Sequence, residues 1–66
     1  MKARELREMT NEELQAKLRE LKDQLFQLRL AKAQNKLGNP HQFGLVKKDI
    51  ARILTILRER ELEAES

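Results

Sequence analysis

Lys47, Lys48, Arg52 and Arg58 follow one another with Asp49 as the only acid among them. Long cationic side chains with so little counter-charge are suited to neutralising phosphates, not to attacking carbonyls or moving protons. The pattern extends further back. From Gln24 to Arg58 the chain has seven basic residues (Arg29, Lys32, Lys36, Lys47, Lys48, Arg52, Arg58) and one acid, a local charge of +6. Residues 1–23 carry six charges of each sign, and residues 59–66 carry Arg60 against four glutamates, which gives the chain total of +3. A positive field gathered in one segment suits a polyanion, nucleic acid first. The plain alternative is a solvated helix surface.

Other chemistry finds little to work with. His41 is the only histidine and stands beside Pro40; a lone histidine beside a turn proline is far more often a surface residue than a base. The only serine is Ser66, and Gly38 and Gly44 do not form a phosphate loop. There is no cysteine, so neither a disulfide nor a thiolate metal site is expected. Neither catalysis, a metal, a cofactor nor a small-molecule substrate is expected. The 66 residues make at most one small domain with a limited core. No run of about 18 apolar residues exists to span a membrane. Met1 to Glu5 lacks the apolar core of a signal peptide, so the expected home is the cytosol.

The elements that must carry these cations are legible. Thr10-Asn11-Glu12-Glu13 has the pattern of a capping box, flanked by Met9 and Leu14 as a hydrophobic staple. Leu14, Leu18, Leu21, Leu25 and Leu28 then repeat at four and three, a heptad seam that Lys32 ends. Gly38-Asn39-Pro40 breaks the chain. Either Gly38 or Asn35 can adopt the left-handed conformation that ends the first helix, and Asn39 can cap a second that begins at Pro40. Phe43, Val46, Ile50, Ile53 and Leu57 form the second seam, broadened by Leu54 and extended toward Leu62. The expected fold is all-α: two long helices, about 10–35 and 40–62, in an antiparallel coiled-coil-like hairpin with a turn at about 36–39. Residues 63–66 form an acidic tail at the wrong end of the helix dipole and are expected to be loose. Lys2 to Arg7 can form a separate helical turn that docks through Leu6. Reflection about the turn pairs Leu25 with Ile50, Leu21 with Ile53, Leu18 with Leu57 and Leu14 with Leu62.

One seam cannot use every face. Phe26, Leu30, Ala33 and Leu37 form a second apolar stripe on the first helix, well off the leucine seam. Exposed contiguous apolar surface marks an interaction site; the alternative is that lysine and arginine stems, or the segment around Leu6, cover it. On the second helix, the face away from the seam carries Lys48, Ala51, Arg52 and Thr55, with Lys47 and Arg58 on its flank. Small residues between cations let a backbone approach closely. Folding back brings Arg29, Lys32 and Lys36 beside Lys47 and Lys48, so the turn half should be positive. Two readings compete: a structural RNA-binding protein, and a coiled-coil adaptor that oligomerises through the Phe26, Leu30, Ala33 and Leu37 stripe. Acids at 5, 8, 12, 13, 20 and 23 argue against a membrane-surface helix.

The run Val46-Lys47-Lys48-Asp49-Ile50-Ala51-Arg52-Ile53-Leu54-Thr55-Ile56-Leu57-Arg58-Glu59-Arg60-Glu61 closely resembles the signature of bacterial large-subunit ribosomal protein twenty-nine. So do Lys2-Ala3-Arg4-Glu5-Leu6-Arg7, Thr10-x-Glu12-Glu13-Leu14, Leu25-Phe26-x-Leu28-Arg29 and Leu37-x-Asn39-Pro40. The resemblance spans about residues 1–62 without gaps. It implies a helical hairpin in the cytoplasmic ribosome, bound to large-subunit ribosomal RNA near the nascent-chain exit tunnel. It implies ribosomal protein twenty-three as a neighbour, and exit-site chaperones and targeting factors close by. It points to Lys48, Arg52 and Thr55 as RNA contacts, with Lys2, Arg4, Arg7 and Arg29 next. The chain departs from that family's pattern at His41, Gln42 and Gly44, where arginines are frequent, and at Asn35 and Lys32. Fewer phosphate contacts are therefore expected at the turn.

Overall fold

Thr10 starts the first long helix by satisfying amides that a helix leaves unpaired. In a computed structural model describing residues 2–36, 38 and 40–65, the Glu13 amide donates to Thr10 Oγ1 at 3.1 Å and the Thr10 amide donates to Glu13 Oε1 at 3.3 Å. This is the full capping box. Three helices follow the chain: α1 (Ala3–Arg7), α2 (Asn11–Ala33) and α3 (Pro40–Glu65). α2 and α3 pack along each other and α1 packs against α3. The result is a rod 47 Å long and about 17 Å across. No strand occurs among the described residues.

α2 stops at Ala33, short of the expected 35, because Asn35 takes the left-handed conformation with φ 57°. The Lys36 amide then donates to Ala31 O at 2.7 Å and the Asn35 amide to Lys32 O at 3.1 Å. These two bonds are the Schellman pattern, closing carbonyls that the helix end would otherwise leave open. Of the two residues able to take that cap, Asn35 is the one with the left-handed φ. The cap expected of Asn39 lies outside the described residues. α3 runs through Glu65, past the expected end at 62. Leu, Glu and Ala are strong helix formers, and their propensity outweighs an unfavourable dipole that acts only over the last turn.

The core contains Leu6, Leu14, Leu21, Val46, Ile53 and Ile56, with Met9, Leu18, Leu25, Leu28, Ile50 and Leu57 partly buried around it. The five leucines of the α2 seam are all there, as are Val46, Ile50, Ile53 and Leu57 of α3. Two expectations fail on α3. Leu62 does not pair with Leu14: it is exposed, because nine residues beyond Ile53 is about half a turn of phase away from the seam. Leu54 does not broaden the buried stripe and is also exposed. Ile56 takes that role on the opposite flank, where α1 supplies the fully buried Leu6. A two-helix seam thus becomes a three-helix core at the open end.

Gly44 lies inside α3, and a Cβ built there meets nothing within 4 Å. Gly44→Ala should therefore stabilise the hairpin by about 1 kcal/mol through backbone entropy alone. Thermal unfolding followed by circular dichroism should show the midpoint rise by roughly 4–8 °C. A fall would mean that this turn of the helix needs the glycine.

Candidate nucleic-acid interface

Helical phase sorts the candidate residues into two flanks. Lys48, Arg52, Thr55 and Glu59 follow at four, three and four, so they form one stripe along α3. Arg7 Nη1 meets Glu59 Oε2 at 3.1 Å. α1 therefore reaches the open end of the same stripe, where Arg7 meets it. Lys48, Arg52 and Thr55 are all exposed, as are Lys2, Arg4 and Arg7. The sequence alone separates Arg7 from Arg52 by more than forty residues; the packing of α1 on α3 brings Arg7 onto the flank of the stripe.

Arg60 holds that arrangement together. Its Nη1 donates to Asn11 Oδ1 at 2.7 Å and its Nη2 donates to the Arg7 carbonyl at 3.0 Å. One guanidinium therefore ties α3 to the end of α1 and the start of α2. An arginine suits this because its donors are fixed in a planar fork. In the sequence Arg60 is only one cation among four glutamates, with nothing to signal these bonds. Contacts across about fifty positions leave no local signal.

The hydroxyl of Thr55 donates to the Ala51 carbonyl at 2.9 Å. Its proton is engaged within the helix, and its lone pairs remain to accept from a ligand such as a ribose hydroxyl. Arg58 pairs with Glu61 at 3.5 Å on an exposed surface. Such a pair is worth little and yields readily to a phosphate. Arg29 and Lys36 are exposed. Lys32 and Lys47 both stand against the ring of Phe43, at 5.6 and 5.5 Å from its centroid.

The other flank of the hairpin, away from α1, is apolar in its middle. Phe26 is 55% exposed, Leu30 42% and Leu54 47%. Ala33 is exposed beside them, and Leu37 lies outside the described residues. The segment around Leu6 does not cover this stripe, since Leu6 is buried on the opposite flank. An open cleft lined by Asp23, Gln24, Gln27, Leu28 and Gln42 has amides and one carboxylate but no positioned base or nucleophile. No cluster of three His, Cys, Asp or Glu able to hold a metal occurs among the described residues. No helix is long and apolar enough to cross a membrane.

Comparison of the sequence with known proteins points to one family. A family model described as ribosomal L29 protein matches residues 4–60. Large ribosomal subunit protein uL29 of Natranaerobius thermophilus is 61% identical over 62 residues, covering 94% of this chain and 95% of that protein. The proteins of the same name from Caldicellulosiruptor saccharolyticus and Streptomyces coelicolor are 58% and 57% identical over 65 residues. Each of those alignments covers 98% of this chain, with 90% of the first protein and 88% of the second. The matched stretch includes all of α1 but Ala3, both seams and the whole Lys48–Arg52–Thr55 stripe, so the chain belongs to the ribosomal L29 family of large-subunit structural proteins, which are not enzymes.

Proposed function

We propose that this protein binds large-subunit ribosomal RNA near the nascent-chain exit tunnel, as a preformed rod that neutralises backbone phosphates. As a structural constituent of the large subunit it resides in the ribosome, in the cytoplasm. The observation that supports the RNA reading is the exposed Lys48–Arg52–Thr55 stripe, met at its open end by Arg7; Lys2 and Arg4, exposed and close to Arg7 in the chain, add charge to that end. Lys47, Arg58, Arg29, Lys32 and Lys36 add charge around the turn half. Binding only the folded form of an RNA junction would stabilise that form by mass action. The chain acts as one domain, with α1 serving to set its N-terminal cations.

The opposite flank, with Phe26, Leu30 and Ala33, serves a protein contact in this reading. Leu37 completes the stripe by sequence. Ribosomal protein twenty-three is the neighbour the family resemblance implies, with exit-site chaperones and targeting factors within reach. A second reading rests on the same exposed side chains: a coiled-coil adaptor that self-associates through them. Mass that rises with concentration at moderate salt, without RNA, would favour it.

The direct test is binding of the purified protein to large-subunit RNA fragments across a salt series, with an unrelated RNA as control. Tight, salt-dependent binding to one fragment over the control is expected. Equal weak binding to every RNA would leave only a basic rod and turn attention to self-association.

A further inference from the structure

Lys32 occupies a seam position. It stands four residues beyond Leu28 and seven beyond Leu25, so helical phase turns its stem toward α3 while the residue stays exposed. Its ammonium lies 5.6 Å from the centroid of the Phe43 ring. Lys47, one turn beyond Phe43 on α3, places its own ammonium 5.5 Å from the same centroid. The ring is half-buried between the helices and both lysines are exposed.

One ring thus draws in a cation from each helix. Two ammonium groups cannot then be farther apart than the two distances laid end to end. They repel each other, and the negative face of a phenyl ring offsets that only in part. An anion between them gains from both. Each ammonium offers three donors and no acceptor, which suits the two unesterified oxygens of a phosphodiester. Arg29, Lys36 and Lys48 continue the positive field on either side, which favours a polyanionic strand over an isolated carboxylate.

We infer that Phe43 is a positioning residue that yokes Lys32 of α2 to Lys47 of α3 as a clamp for one backbone phosphate of RNA. The inference rests on the RNA-binding reading above. Its first half, the yoke, is a property of the free protein. Proton NMR of the free full chain should show the ε-methylene protons of Lys32 and Lys47 shifted upfield by the ring, and Phe43→Leu should abolish both shifts. Binding to the RNA fragment that wild type prefers should fall roughly two- to fivefold in Phe43→Leu, the size of an exposed cation–ring attraction. Phe43→Tyr keeps the ring and should keep wild-type affinity. Lys32→Gln and Lys47→Gln should each weaken binding, and together by less than the product of the two, because each depends on the other. That pair of variants leaves the seam ring intact and carries the test if Phe43→Leu loses helicity.

Absent ring shifts in the free protein overturn the yoke. Wild-type binding with an indifferent, folded Phe43→Leu, or fully independent losses at the two lysines, overturns the clamp alone. Wild-type protein that binds no fragment better than the control overturns the RNA reading, and the phosphate half of the inference with it.

Discussion

Ile53→Ala should leave the free protein largely unfolded at physiological temperature. Ile53 is fully buried in a core that holds six buried side chains among the described residues. Truncating such a residue costs about 2–5 kcal/mol, through lost transfer energy and the cavity left behind. A chain of this length has roughly 3–10 kcal/mol of total stability. The loss is therefore comparable with the whole. The neighbouring substitution makes the control. Leu54 has similar chemistry one position along the same helix, but it is 47% exposed. Leu54→Ala should change stability by about 0.5 kcal/mol or less. Thermal unfolding followed by circular dichroism would separate the two variants. Equal small effects would mean that the α2–α3 seam is not where this fold is held. A saturating RNA that binds only the folded chain should restore part of the helicity of Ile53→Ala, because binding adds to the stability of the native state.

The contrast between Ile53 and Leu54 also marks what a sequence of this kind discloses. Thr10 and Glu13 announce the start of α2 because a capping box is a local device, complete within four residues. The seams from Leu14 to Leu28 and from Val46 to Leu57 are equally legible, since heptad spacing and helical phase are the same fact. The seam ends before Leu62, where a heptad count carried past Leu57 leaves it and the side chain is exposed. There α1 intervenes, buries Leu6 and Ile56, and replaces a two-helix seam with a three-helix core. Five residues of α1 have too short a period to announce which flank they will cover. The same limit applies to the candidate site. The Lys48–Arg52–Thr55 stripe is visible from spacing along one helix. Its meeting with Arg7 depends on Glu59 and on Arg60 reaching Asn11 and the Arg7 carbonyl, contacts between distant parts of the chain. Phe43 read simply as a seam residue; only the packed hairpin brings lysines from both helices onto its ring.

If the stripe on α3 is the phosphate-binding face, Lys48→Ala and Arg52→Ala should weaken RNA binding in a way that salt can diagnose. A cation that neutralises a phosphate releases condensed counterions, so the slope of log affinity against log salt records how many such contacts exist. Each substitution should reduce the magnitude of that slope by about 0.7–0.9. Each should also cost about 1.5 kcal/mol, or tenfold, if its bond to phosphate is charge-assisted. The two residues are one helical turn apart and share a neighbourhood, so the double variant should lose somewhat less than the product. Glu63→Ala, in the acidic end of α3, should change neither affinity nor slope appreciably. The slope matters because affinity alone is ambiguous. A variant that merely loosened the hairpin would lower affinity while keeping its cations, and its slope would stay near the wild-type value. Loss of affinity with an unchanged slope at both positions would therefore move the phosphate contacts off this stripe and onto the turn half of the rod. Parallel losses of affinity and slope, absent in Glu63→Ala, would tie them to the flank that α1 extends.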